Sequence, residues 1–272
     1  MTRLGQHFLT DPTLLGKIVD ALEPVPTDVV LEIGPGRGSL TNILAPRVGR
    51  LIAIERDRRL GKELGTRSAE RGTGNVEIVE GDALTLDWHT LLDARPAVPR
   101  SALPLPRFKI IGNIPYYITS PLIAKALTPP LPERVVFLVQ REVADRLAAA
   151  PGSRAYGALS VGVQAICRVE RLFIVRAGAF RPRPRVDSAV VRLMPLAEPV
   201  IDADEVGAFR AFVTACFSRR RKQLRNAVMA ATQRSAPVVV ALLRALGLDP
   251  ALRPEVLTPS QFAALLRAAR QL

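Results

Sequence analysis

Val29-Val30-Leu31-Glu32-Ile33-Gly34-Pro35-Gly36-Arg37-Gly38 is the stretch on which the fold turns. Its first five residues form a mostly apolar run of strand length, and the glycines that follow make a turn. Leu40, Ile43 and Leu44 then recur at helical spacing as far as Pro46. Leu51-Ile52-Ala53-Ile54 supplies a second strand ending in Glu55, 21 residues after Gly34. Strand, glycine turn, helix and strand in that order make a nucleotide-binding βαβ unit. Glycines let a backbone approach its ligand closely, and an acid at the tip of the second strand can accept both hydroxyls of a ribose. Ser39 stands where the dinucleotide fingerprint has its third glycine, so the unit alone does not choose between NAD and S-adenosylmethionine.

On the N-terminal side, Thr10-Asp11-Pro12 predicts a helix start with Asp11 as cap, followed by Leu14, Leu15, Ile18, Val19 and Leu22 at helical spacing. Gly5-Gln6-His7-Phe8-Leu9 is then an arm leading into the domain. On the C-terminal side, Val76 to Val79 predicts a third strand, with Asp82 just beyond it placed to accept from an adenine amino group. Prolines at 96, 99, 104 and 106 forbid regular structure in the 95–107 segment.

Ile110-Ile111-Gly112 predicts a buried strand that delivers Asn113-Ile114-Pro115-Tyr116 to the carboxyl edge of the sheet, where ligands of open α/β sheets bind. An amide oxygen, a backbone carbonyl and an aromatic ring suit a flat base bearing an exocyclic amine. Ser120-Pro121 predicts another helix cap, Val135 to Val139 a buried strand, and 141–149 a helix. A helix beginning in Tyr156-Gly157-Ala158-Leu159-Ser160-Val161 is expected to end near Cys167. Two last strands, 171–175 and 188–193, bring the sheet to about seven. Between them Phe180-Arg181-Pro182-Arg183-Pro184-Arg185-Val186-Asp187-Ser188 is extended, because each proline biases its predecessor away from helix. Phe180 is a candidate second face of an aromatic clamp opposite Tyr116, and the segment's three arginines are candidate phosphate contacts.

Beyond Pro195 the pattern is helical only, with helices expected at 204–217, 218–231, 237–246 and 259–269, the last capped by Thr258. The expected organisation is a domain over 1–196 and a small all-helical one over 197–272. The second of these helices carries Arg219, Arg220, Arg221, Lys222 and Arg225, with Phe217, Leu224 and Val228 as an adjoining apolar stripe. With 38 Lys and Arg against 25 Asp and Glu, the net charge of +13 favours a polyanionic partner, nucleic acid first, and this cluster as its footprint. Apolar runs too short to span a bilayer and a polar N-terminus predict a protein of the cytoplasm or of an organelle matrix. Cys167 and Cys216, each in an apolar helical pattern, read as buried thiols, and two distant histidines give no reason to expect a metal.

Taken in order, the Gly5 to Leu9, Glu32 to Thr41, Gly81 to Leu84, Asn113 to Tyr116, Tyr156 to Val161 and Phe180 to Ser188 segments resemble the KsgA/RsmA family of small-subunit ribosomal RNA adenine dimethyltransferases, end to end. The resemblance implies a class I, Rossmann-like methyltransferase of α/β class with a mainly parallel sheet, and S-adenosyl-L-methionine as methyl donor. Carried over by position, His7 and Leu9 line the methionine end of the cofactor, Gly34 and Gly36 the loop beneath it, Glu55 the ribose and Asp82 the adenine. Asn113 stands at the junction with the substrate, and Asn113, Ile114, Tyr116 and Phe180 hold the target base. His7 departs from the commoner family Asn, and imidazole can still donate a hydrogen bond. The implied partners are the small ribosomal subunit and its RNA, with no membrane, no metal and a monomer as the default. Three alternatives stay open at this point: a large-subunit methyltransferase of the Erm type, a non-catalytic ribosome-assembly factor, and an NAD-dependent oxidoreductase.

Overall fold

In the computed structural model, which describes residues 6–93, 107–219 and 222–271, the strands follow the sequence pattern closely. They are β1 (Phe8–Leu9), β2 (Val29–Ile33), β3 (Arg50–Glu55), β4 (Val76–Glu80), β5 (Phe108–Asn113), β6 (Arg134–Gln140), β7 (Cys167–Val175), β8 (Phe180–Arg181) and β9 (Ser188–Pro195). Seven of them form one sheet in the order β4-β3-β2-β5-β6-β9-β7, and β1 pairs with β8 apart from it. β2 runs parallel to both β3 and β5, β3 to β4, and β5 to β6, while β9 is antiparallel to β6. The winding therefore reverses between β2 and β5, which opens a crevice at their carboxyl ends.

The central strands read as continuous apolar runs because helices cover both faces of a parallel sheet. Leu51, Ile52, Ala53, Ile110, Ile111, Val135, Val136 and Phe137 are all fully buried. Helix α1 (Pro12–Ala21) starts as expected, with the Asp11 carboxylate accepting from the Thr13 and Leu14 amides and Leu15, Ile18 and Val19 on its buried face. Gly112 allows β5 to approach β2: a Cβ there would stand 2.7 Å from the Ile33 carbonyl oxygen.

The chain clusters into two compact units, one made of the residues up to Ala144 with Glu170–Met194, the other of Asp145–Val169 with the chain from Pro195 onward. The expected division at 196 is thus crossed by one segment. Residues 145–169 group with the helical unit because Tyr156, fully buried, donates its hydroxyl to the Leu257 carbonyl at 2.9 Å, and Gly152 N–H donates to the Glu255 carbonyl at 2.7 Å. The Tyr156 to Val161 motif is therefore a packing element, its helix running over Ala158–Gln164.

Three further expectations are corrected. Cys167 opens a strand rather than ending a helix; it and Cys216 are buried free thiols, and burial pushes the pKa of each up to about 12. Ser120 is not a cap, since the helix Thr119–Ala126 starts one residue earlier, where the Thr119 hydroxyl donates back to the Pro115 and Tyr116 carbonyls. The helix expected over 218–231 begins only at Leu224 and runs to Thr232: Ser218 closes the preceding helix, Val206–Ser218, and a turn in which Lys222 N–H donates to the Arg219 carbonyl follows it. The turn lets the second helix pack back on the first and bury Leu224, Ala227 and Val228. Phe217 consequently belongs to the earlier helix and not to one stripe with Leu224 and Val228. The last helix, Pro259–Arg270, has the expected Thr258 cap, completed by Gln261 in a capping box.

Candidate active site

The carboxyl ends of β2, β3, β4 and β5, with the arm at residues 6–8, line an open cleft. Of the residues expected in it, His7, Gly34, Gly36, Glu55, Asp82, Asn113, Ile114 and Tyr116 all line it. Their convergence follows from register: Ile33 pairs with Ile54 and Gly112, and Glu55 with Glu80, so the loops leaving these strands share one edge.

The glycine turn is built around Glu55. Its carboxylate, 3% exposed, accepts from the Gly36 amide at 2.9 Å and the Asp57 amide at 2.8 Å. The turn needs the left-handed backbone at Gly34 (φ +68°) and Gly36 (φ +57°). A Cβ on Gly36 would meet the Phe8 ring at 2.8 Å, and the Arg37 guanidinium lies over that same ring, 5.1 Å from its centroid. Phe8 is thereby held down on the loop, and with it the arm.

Beyond β4 the turn carrying Asp82 is pinned by two side chains, one a few residues on and one remote in sequence. Trp88 Nε1 donates to the Ala83 carbonyl at 2.8 Å, and Lys125 Nζ donates to the Leu84 carbonyl at 2.8 Å and to the Leu86 carbonyl. Lys125 also lies over the Trp88 ring, and burial holds its ammonium below the usual lysine range. Asp82 faces Arg56 at 3.4 Å, so a cation stands beside the acid expected to meet adenine. Neither Lys125 nor Arg56 is marked in the sequence; no motif signals a lysine whose work is to bond carbonyls. Lys125→Met lowers affinity for a ligand seated on Asp82 by about tenfold, the order of one charged hydrogen bond removed, and leaves turnover at saturation unchanged. Calorimetric titration and steady-state kinetics check both parts.

At β5 the Asn113 amide nitrogen donates to the His7 carbonyl at 2.9 Å, which leaves Oδ1 as the acceptor of that side chain. His7 Nδ1 donates to the Pro182 carbonyl at 2.8 Å. That imidazole N–H is therefore committed within the protein. The His7 and Tyr116 rings stack with centroids 5.7 Å apart, and Tyr116 Oη shares a 2.8 Å hydrogen bond with Ser188 Oγ.

Two expected residues lie elsewhere. Phe180 is fully buried in the hydrophobic core and outside the cleft, so it gives no second face to a clamp. Its partner in the β1–β8 pair, Leu9, is 3% exposed and lines a smaller adjoining cavity with Leu15, Ile18 and Leu138. Pairing fixes both: the two strands turn these apolar side chains into the core. In their place the cleft has Tyr117, 58% exposed at its lip.

Glu32, on β2 beneath the glycine turn, is 1% exposed, and its carboxylate accepts from the Thr41 hydroxyl at 2.7 Å. Burial, with Glu55 nearby, pushes its pKa up to about 7. The native state thus holds this proton more tightly than the unfolded chain does, and stability falls as pH rises from about 4.5 to about 7. Glu32→Gln flattens that slope, and its thermal midpoint gains on the parent's between pH 5 and 7; parallel midpoints would refute the assignment.

Of the basic cluster, Arg219, Lys222 and Arg225 are placed around the turn that joins two helices, not along one helix face. Arg220 and Arg221 lie outside the described residues, as do 95–106 of the proline-rich segment and Gly5 of the arm. Among the described residues no group of three or more His, Cys, Asp or Glu side chains could hold a metal ion, and no helix is long and apolar enough to cross a membrane.

Comparison with known proteins accounts for almost the whole chain. The family model described as ribosomal RNA adenine dimethylase matches residues 1–241. A ribosomal RNA small subunit methyltransferase A from Halothermothrix orenii is 42% identical over 265 residues, 96% of this chain and 85% of the relative. Among solved structures, a dimethyladenosine transferase from Plasmodium falciparum superposes with a TM-score of 0.80 at 30% identity, covering 97% of this chain and 98% of that one. The 23S rRNA methyltransferase ErmE superposes with a TM-score of 0.70 at 27% identity, covering 97% and 100%.

Proposed function

Because the chain belongs to the ribosomal RNA adenine dimethylase family, we propose that it transfers methyl groups from S-adenosyl-L-methionine to N6 of adenosines in small-subunit ribosomal RNA, giving N6,N6-dimethyladenosine during ribosome biogenesis. The observation that carries this reading is the Asn113 amide, whose nitrogen is tied to the His7 carbonyl so that its oxygen is left to accept. A small-subunit substrate is favoured over the Erm-type alternative by the 42% relative, against 27% identity to ErmE. An NAD-dependent oxidoreductase is set aside by the same family membership.

The cleft fits the proposed donor in its chemistry. Glu55 is a carboxylate for ribose hydroxyls, Asp82 accepts an adenine amine, and the glycine turn is filled by any side chain added at Gly36. When bound, S-adenosylmethionine supplies a methyl group on a positively charged sulfur, which is already a good leaving group. The protein's work is orientation of the nucleophile. Adenine N6 is a poor one, because its lone pair is delocalised into the ring. The Asn113 oxygen and the Ile114 carbonyl accept from its two N–H groups, favouring a pyramidal nitrogen with the lone pair directed outward. Tyr116, with His7 against its ring, offers the base an aromatic face, and its hydroxyl bond to Ser188 fixes that ring. The nitrogen left cationic by the transfer is acidic enough to give its proton to water, so the chemistry requires no strong general base.

Arg219, Arg220, Arg221, Lys222 and Arg225 then contact ribosomal RNA backbone from the helical unit, and the protein acts as a monomer in the cytoplasm. The test offers labelled S-adenosylmethionine and the purified protein to small and large ribosomal subunits lacking these modifications. Label in small-subunit RNA as dimethyladenosine is the expected result. Label in large-subunit RNA points to the Erm-type reaction, and cofactor binding without transfer to a non-catalytic assembly factor.

A further inference from the structure

Tyr116 and Tyr117 are adjacent on a single turn of 3-10 helix, Tyr116–Ile118, at the mouth of the cleft. On such a turn successive side chains diverge by about 120°, so two neighbouring rings cannot sandwich one base. The structure gives them different surroundings. Tyr116 is half-buried, stacked on His7 and bonded to Ser188. Tyr117 is 58% exposed, and no ring contact or hydrogen bond holds its side chain among the described residues. An exposed aromatic of this size at a cleft mouth is a free face beside an occupied one.

The bond from Tyr116 to Ser188 also brings the end of the Phe180 to Ser188 segment to the same lip. That segment carries exposed Val186, 46% accessible, and exposed Arg183 and Arg185, neither of which has an ion pair or hydrogen bond among the described residues. The segment from Pro182 to Ser188, tied to His7 at one end and to Tyr116 at the other, thus adds an apolar side chain and two guanidinium groups next to the aromatic platform, on a chain of net charge +13. Stacking platforms beside positive charge are how proteins hold single-stranded nucleic acid.

We propose that this lip is a subsite for the nucleotide next to the target adenosine. Its base stacks on Tyr117, and the neighbouring phosphates lie against Arg183 and Arg185. The inference rests on the RNA methyltransferase reading and deepens it: the enzyme grips the strand beside the base it extrudes, and the Tyr117 ring replaces the stacking that the flanking base gives up when its neighbour swings out. This also places the second aromatic ring of the site on the flanking base, not on the target.

The test compares the unaltered protein with Tyr117→Ala, Tyr117→Trp and the Arg183→Ala, Arg185→Ala double variant, using unmodified small subunits and labelled S-adenosylmethionine. Tyr117→Ala raises KM for the subunit about tenfold, within the range of one base–aromatic stack, with the effect in KM and not in kcat. Tyr117→Trp restores the original KM, which a merely structural tyrosine would not allow. The double variant lowers the slope of log KM against log salt by about 0.7 for each arginine. Calorimetric affinity for S-adenosylmethionine stays unchanged in all three. Transfer by the unaltered protein with an unchanged KM in Tyr117→Ala overturns the subsite alone, as does an effect confined to kcat. Absence of transfer by the unaltered protein overturns the function and this subsite with it.

Discussion

Asn113→Ala lowers methyl transfer by about 10²–10³-fold, the effect of removing one aligned hydrogen-bonding group from a preorganised site. The side chain has two duties, which the geometry separates. Its nitrogen holds the His7 carbonyl at 2.9 Å, and its oxygen is left for the substrate amine. Alanine removes both, so transfer collapses, while cofactor affinity falls only a few-fold as the arm loses one tether among several. The others, His7 to Pro182, Thr10 to Ala179 and the β1–β8 pair, remain. Asn113→Asp tests the division differently. It keeps the shape but sets a carboxylate oxygen against the His7 carbonyl, so the arm is repelled and cofactor affinity falls further than in the alanine variant. Single-turnover kinetics with calorimetry resolves the two duties. Near-normal turnover in Asn113→Ala would sink the role assigned to the amide.

Glu55→Ala weakens S-adenosylmethionine binding by about 10²-fold or more, because charge-assisted hydrogen bonds at one buried carboxylate contribute about 1.5–3 kcal/mol each. The same carboxylate accepts from Gly36 and Asp57, so its removal also leaves two amides without partners and loosens the turn. The alanine variant therefore melts lower as well. Glu55→Gln separates the effects: an amide of the same size keeps one accepting oxygen, holding the fold while losing the charge and one acceptor. Its thermal midpoint stays closer to the parent than that of Glu55→Ala, while cofactor affinity still falls by about tenfold or more. Unchanged affinity in a folded Glu55→Gln would remove Glu55 from the ribose site.

The sheet and the cofactor cleft are legible in the sequence because parallel strands advertise themselves twice, as unbroken apolar runs and as the polar residues at their carboxyl tips. Val29–Ile33 forms the strand its pattern predicts, and Glu55 and Asn113 end β3 and β5 in the crevice. Illegible features are those where burial decides against pattern. Phe180 is an aromatic next to a basic extended segment, but its pairing with Leu9 turns it into the core. The turn after Ser218 carries neither glycine nor proline, so the sequence marks a boundary between the two helices but not that the later one waits until Leu224. Lys125 works on backbone carbonyls some forty residues away, a relation that leaves no trace in local sequence. Tyr117 and Tyr116 are alike in sequence, because exposure and not residue type distinguishes them.

Trp88 is the single tryptophan of the chain, and its indole N–H is bonded to the carbonyl next to Asp82. The protein consequently carries its own optical probe at one end of the cleft, with the Lys125 ammonium over the ring as a local field. Any ligand that shifts the turn moves that field relative to the indole, and the emission wavelength moves with it. Occupancy can be followed by intrinsic fluorescence, with no label and no second indole to dilute the signal.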